Sequence, residues 1–209
     1  MKKSDINKLI DKEKTQIMEQ FIKNCPFERW SENNLKISAA NCGFESGYSL
    51  ILFPEGIKDF TQYFIKSMNE HLIAEFSKSN EHVKTNDKII YLIELKLQQY
   101  SKIKEAIRNL LQFYVLPSNV LLAQKHLWQT CDEIWYLVGD KSTDFNHYSK
   151  RLILAKIYSS VLLYWISDES EDYNNTKIFL REQINNTKKI GKFKSSINNF
   201  IKILSADNH

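Results

Sequence analysis

Along most of the chain, apolar residues recur three and four positions apart, the period of an amphipathic helix rather than the alternation of a half-buried strand. From Ser4 to Asn24 the set is Ile6, Leu9, Ile10, Ile17, Phe21 and Ile22, and Pro26 lies just beyond, so a first helix is predicted to stop there. Two short segments follow, one from Asn33 to Gly43 and one opening near Glu45 and stopping at Pro54. The Gly-bearing turn between them makes a helix-turn-helix candidate. A longer amphipathic segment runs from Ile57 to Phe76, and "SKSNEHVKTND" breaks it. "KIIYLIELKLQQY" is ambiguous between buried strand and buried helix, and its neighbours favour a helix.

"SKIKEAIRNLLQFYVLP" reads as helical to Pro117, and Ser118 or Asn119 is placed to cap the next helix, which ends at Gly139. Asp144 is a natural N-cap for the one after. From Leu152 to Ile166 the chain is apolar nearly all round, which predicts a central helix with core on several sides. With fifteen residues, Lys156 among them, it is too short and too charged to cross a bilayer. "DESEDYNNTKIFLREQINN" supplies another helix, and there is no internal repeat.

Composition sharpens this to an all-α bundle of about nine helices. Five Gly and three Pro in 209 residues leave little punctuation for the tight turns of a sandwich or barrel. A hydrophobic share of 43% and a charged share of 26% suit one globular domain with a small appendage. The pattern divides into N-terminal helices over 1–80, a helical bundle over 81–187 and a tail over 188–209. The net charge of +4 is mild, so the placement of the basic residues decides what it means. Cys25, Cys42 and Cys131 are odd in number and widely spaced, which fits a reducing compartment without a structural disulfide. The first residues mix Lys with Asp and Glu and lack an apolar core, which reads as a cytoplasmic start.

Recognition of DNA needs Lys or Arg against phosphates and polar side chains on base edges. Between Lys36 and Lys58 there is no basic residue, while Glu45 and Glu55 are present, and only Ser46, Tyr48 and Ser49 offer contacts. The helix pair therefore reads as kept for packing or for gripping another protein, with no nucleic-acid partner.

In the tail, Ile190, Phe193, Ile197, Phe200, Ile201 and Leu204 fall on a helix within an arc of about 100°. Lys188, Lys189, Lys192, Lys194 and Lys202 accompany them, and the stretch 185–204 holds no acid. A basic amphipathic helix reads as a membrane-surface element or a ligand for a partner's groove, although the same face would serve a last helix docked on its own domain.

Five scattered histidines, His71, His82, His126, His147 and His209, form no HExxH and no Glu-x-x-His pair. There is no phosphate loop, no nucleophile elbow, and no motif around a cysteine, so the residues propose neither an enzyme nor a metal or other cofactor. Cys131 lies beside Asp132 and Glu133, which raises a thiol pKa if anything and suits an inert cysteine.

The most distinctive stretch is "CDEIWYLVGDKSTDFNHYSKR", residues 131–151, where acids, an aromatic pair and a Gly-Asp turn gather at a helix end. Adjacent residues on a helix do not share a face, so one of Trp135 and Tyr136 points away from the core. This stretch, its extension to "LILAKIYSS", and "DYNNTKIFLREQI" beyond it resemble the Coq-nine family of ubiquinone biosynthesis proteins. "LKISAANCGFESGYSLILFPEGIKDFTQYF" is similar to that family's degenerate helix-turn-helix with its Leu-Phe-Pro-x-Gly turn, so the resemblance spans about residues 30–185. Two positions depart from the pattern: His147 stands where Trp is common, and Leu121-Leu122 where small or polar residues are usual.

The resemblance implies a TetR-repressor-like fold. It also implies a homodimeric, non-catalytic lipid-binding accessory protein, which takes isoprenoid quinone intermediates and assists the di-iron hydroxylase of the quinone ring. A C-terminal amphipathic helix at the membrane agrees with the tail, whose membrane-facing residues are Lys188, Lys189, Ile190, Lys192, Phe193, Lys194, Ile197, Phe200, Ile201 and Leu204. By position, Asp132, Trp135, Tyr136, Asp140 and Asp144 belong to a patch for the hydroxylase. Leu111, Tyr114, Leu152, Ile157, Tyr158 and Val161 are candidates for the lipid cavity. The expected location is cytoplasmic, peripheral at the inner face of a bacterial membrane. The other readings are a TetR-type transcription regulator with an apolar effector pocket and a stand-alone enzyme of lipid metabolism.

Overall fold

The structure, a computed structural model, describes residues 3–45, 47–77, 84–143 and 145–187, and every regular element among them is helical. The order is α1 (Lys3–Asn24), α2 (Glu32–Asn41), α3 (Tyr48–Leu52), α4 (Ile57–Phe76), α5 (Thr85–Ser101), α6 (Lys104–Val115), α7 (Val120–Leu137) and α8 (Phe145–Ile166). A ninth helix, α9, occupies 174–187. Nine α-helices among the described residues match the count read from the apolar spacing.

The N-terminal helices close around an aromatic core. Phe21 of α1 meets Trp30 edge-on at 4.9 Å and Phe60 of α4 at 4.3 Å, and Trp30 meets Phe64 at 5.1 Å. The buried Trp30 indole donates to Thr61 Oγ1 at 2.8 Å, which satisfies the polar end of a large apolar side chain. Ser31 caps α2 by accepting from the Asn34 amide. Glu32 reaches across and accepts the Ile57 amide at 2.8 Å, capping α4. Gly56 has φ +59°, and a Cβ there would meet Glu32 Oε1 at 2.2 Å. The Pro-x-Gly turn is therefore needed twice, for its positive φ and for room beside the capping carboxylate.

Four readings are corrected. The helix-turn-helix is shorter than its apolar pattern suggests, since α3 is a single turn of five residues. Helix α6 stops at Val115 rather than at Pro117, because Leu116 takes the extended ψ of 133° that a residue before proline prefers. Asn119 does not cap α7 with its side chain; its Nδ2 instead donates to the Phe113 carbonyl at 2.9 Å. Helix α8 is not enclosed all round: Leu154, Ile157, Tyr158, Val161 and Trp165 are buried, whereas Leu152, Ile153, Leu163 and Tyr164 are exposed. Apolar residues at nearly every position had hidden which arc meets the core.

Before α9 the chain makes a 3-10 turn at Glu171–Tyr173 with left-handed φ at Asp172 and Tyr173. The buried Asp168 carboxylate accepts from the Ser170 amide and from the Thr176 amide and hydroxyl, anchoring the start of α9. Burial alone would raise its pKa, but these donors outweigh it and bring it down to about 2.

Candidate functional site

A cavity of about 260 Å³ lies between α6, α7 and α8, with Ile65 of α4 and Tyr100 of α5 at its floor. Its walls are mostly apolar, among them Ile107, Leu110, Leu111, Leu127 and Leu162. Helix α7 faces it with Val120, Ala123, Gln124 and Leu127, the three-and-four spacing that puts side chains on one face. Val120, Gln124 and Leu163 are exposed while Ile107, Leu110, His126, Thr130 and Tyr158 are buried, so the cavity opens between the start of α7 and the end of α8.

Polar groups are few and converge. The Gln62 carbonyl oxygen lies 3.2 Å from His126 Nε2 and can only accept, so Nε2 carries the proton and Nδ1 accepts from the Tyr114 hydroxyl at 2.6 Å. Gln62 Nε2 passes the chain on to Gln129 Oε1 at 3.2 Å. Burial, with Lys125 nearby, pushes the His126 pKa down to about 4, so the ring is neutral and this polar thread crosses the core without charge. Beside it Tyr158 donates to Tyr100 across 3.4 Å, and burial pushes the Tyr100 hydroxyl up to about 12.

Of the residues offered for a lipid cavity, Leu111, Tyr114 and Tyr158 line this one. Ile157 and Val161 lie in the core behind it, and Leu152 is 62% exposed and stands outside the lining. Sequence reading passed over His126, Gln124 and Thr130. Their signal was the α7 period itself, which places 120, 123, 124 and 127 on one face with 126 and 130 beside them.

The distinctive turn after α7 is built on one carboxylate. Asp140 accepts from Lys150 Nζ at 2.7 Å, Ser142 Oγ at 2.7 Å and Arg151 Nη1 at 3.2 Å. Arg151 is 4% exposed, and it also holds Asp132 and the His147 carbonyl, so a buried guanidinium ties the end of α7 to the start of α8. Burial alone would raise the Asp140 pKa; the donors from Lys150, Ser142 and Arg151 outweigh it and hold it far below the usual carboxylate range. Gly139, at φ +85°, allows the reversal.

Tyr136 is 73% exposed, whereas Trp135 packs against the core under the Lys150 ammonium, 5.4 Å from the ring. The Trp135 indole N–H is buried without an acceptor. The adjacent aromatics thus part as helical geometry requires. Asp144 and the tail residues 188–209 lie outside the described residues.

Burial raises the Cys131 thiol to about 12, with Lys96 and Arg151 opposing, which leaves it inert. Lys96 itself is fully buried: it donates to Asn69 Oδ1 at 2.6 Å and lies 5.3 Å from the Tyr100 ring centroid. In the helix-turn-helix, Ser49 is buried and Tyr48 donates to Glu13 at 2.7 Å, so two of the three polar side chains offered for DNA are already engaged. The surface of α3 instead presents Leu50 and Ile51.

Comparison with known proteins agrees with this architecture. Residues 120–191 match the COQ9 family model. The chain is 26% identical over 191 residues to the probable mitochondrial ubiquinone biosynthesis protein coq9 of Dictyostelium discoideum, covering 88% of this chain and 62% of that protein. It is 27% identical over 188 residues to the Schizosaccharomyces pombe protein, covering 90% and 75%. With the Homo sapiens protein it shares 25% over 174 residues, covering 79% and 54%. Among solved structures, a TetR transcriptional regulator from Nitrosomonas europaea superposes with a TM-score of 0.65 at 13% identity, over 82% of this chain and 95% of that one. The chain is thus similar to the COQ9 proteins of ubiquinone biosynthesis, most specifically over 120–191, and has the fold of a TetR regulator.

Proposed function

We propose that the protein is a non-catalytic, lipid-binding accessory factor of ubiquinone biosynthesis. It takes an isoprenoid quinone intermediate at a membrane and presents it to a di-iron hydroxylase. The observation that carries this reading is the apolar cavity with its few converging polar groups: at ~30 Å³ per water, 260 Å³ is about nine waters, room for a substituted ring or a short isoprenoid stretch. An isoprenoid chain gains about 25 cal/mol for each Å² withdrawn from water, so it moves between membrane and enzyme only inside a dry carrier. Asp132 and Tyr136, exposed toward the end of α7 away from the cavity mouth, form the surface offered to the hydroxylase, with Trp135 and Asp140 packed beneath them. Helix α8 exposes Leu152, Ile153, Leu163 and Tyr164, a stripe suited to a second copy in a homodimer. The protein works as a peripheral component at the inner face of a bacterial membrane, held there by the basic tail. Among the described residues no helix is long and apolar enough to cross a membrane, and no three His, Cys, Asp or Glu residues gather as a metal set.

The test is mass spectrometry of an organic extract of the purified protein. A bound polyisoprenoid or phospholipid is expected; empty protein that also takes up nothing from liposomes overturns the reading.

A further inference from the structure

Between α6 and α7 the chain turns a corner that is apolar on its outside. Val115 is 78% exposed, Leu121 80%, Leu116 52% and Val120 40%, all within seven residues. Among the described residues only Phe27, of the exposed large apolar side chains, exceeds Leu121. A frayed loop would explain such exposure, but this corner is fixed. The buried Asn119 side chain donates to the Phe113 carbonyl at 2.9 Å, its amide donates to the Leu116 carbonyl at 2.8 Å, and Pro117 locks the backbone between them. The geometry thus holds these side chains in water at a standing cost, which calls for an occupant.

Two observations identify that occupant. The stretch from Ala106 to Cys131 contains no acid, and exposed Lys125 stands one turn beyond Leu121, so nothing on the corner repels an anionic headgroup layer. The corner also runs into the cavity: Tyr114 lines it immediately before Val115, and Val120 is both a corner residue and part of the open rim. A second copy of the chain fits less well, because four side chains on a convex corner fall far short of the ~800 Å² per partner that a standard interface buries.

We propose that the α6–α7 corner enters a lipid bilayer, with Val115, Leu116, Val120 and Leu121 below the headgroups, and that the cavity mouth thereby opens into the acyl layer. The account of entry rests on the cavity being a lipid site; the immersion of the corner does not. A lipid then passes from acyl layer to cavity along Val120 without crossing water.

The test uses the full chain with Cys42→Ser, which leaves Cys25 and Cys131 buried, and an environment-sensitive dye on Leu121→Cys or, as control, on Ile51→Cys of α3. With phosphatidylcholine–phosphatidylglycerol vesicles, the dye at 121 is expected to shift to the blue and to be quenched by spin-labelled acyl chains, while the dye at 51 is not. A dye at 121 that stays in water on vesicle-bound protein overturns the proposal. So does shielding at 121 that grows with protein concentration in the absence of vesicles, or a chain that binds no vesicles at all. The pair Val115→Asp and Leu121→Asp changes only exposed positions, so melting should be unaltered while vesicle affinity falls at least about tenfold. Uptake of a fluorescent isoprenoid from detergent micelles separates the two readings. If the Asp pair takes lipid from micelles but not from vesicles, the corner is the entry; failure of the unaltered chain in micelles counts against the cavity alone.

Discussion

Lys96 is the least comfortable residue in the molecule. A fully buried ammonium with a neutral amide oxygen and a tyrosine ring as its company is poorly compensated, and desolvation lowers its pKa from 10.5 to about 7 against weaker support from Cys131 and Glu133. Between those two values the unfolded chain binds more protons than the folded one, so this lysine makes stability rise with pH from about 7 to 10.5. Below pH 7 its full cost is present. Lys96→Met should therefore stabilise the fold near neutral pH by roughly 3–4 kcal/mol, after about 1 kcal/mol lost at Asn69, and should flatten the alkaline rise. Denaturant titrations at pH 7 and pH 10 check this; a destabilised variant with the slope intact would count against it. Sequence reading had no access to Lys96, because in "IELKLQQY" a lysine on a helix reads as solvated and only the packing of four neighbouring helices encloses it.

At the scale of elements, the turn joining α7 to α8 is held more by charge than by apolar contact. Asp140 gathers Lys150, Ser142 and Arg151, and Arg151 in turn holds Asp132 on the previous helix. Asp140→Asn leaves the buried guanidinium short of a counter-charge, and a loss of about 3 kcal/mol is expected. The wild-type contribution is complete above the ordinary carboxylate range and is lost progressively as pH falls from there toward the far lower pKa of the folded state, so the variant should differ most from the parent near neutrality and the gap should begin to narrow in acid. Chemical denaturation at pH 7 and at pH 3 measures the difference; equal stability at pH 7 would refute it.

Among the described residues helix existence was legible, since period and caps are local signals. Three features were not. The stop at Val115 depends on the residue before a proline, the side-chain hydrogen bond of the N-cap Asn119 on a competing carbonyl six residues back, and the exposed arc of α8 on neighbours the period cannot name. The parting of Trp135 and Tyr136 was legible, because it follows from 100° per residue alone.

For the whole molecule, the aromatic N-terminal core and the cavity are joined through α4, which begins under the Glu32 cap and carries Gln62 and Ile65 to the cavity side. The fold seen in a TetR transcriptional regulator is present here, and no Lys or Arg lies from residue 37 to 57, the stretch that carries the helix-turn-helix. In electrophoretic shift assays at physiological salt, affinity for duplex DNA is expected to be no tighter than the non-specific range of about 10⁻⁴–10⁻⁶ M, and a sequence-specific shift at nanomolar protein would overturn this.

The lining of the cavity has a further consequence for how the protein can be divided. Ile65, Tyr100, Ile107, Leu110, Leu111 and Tyr114 all precede residue 120, where the segment shared with the family model begins. That segment is therefore not a portable module. Expressed as 120–191 alone it should aggregate rather than keep the cavity, because that segment supplies one side of a vessel whose other side is written in the residues before it.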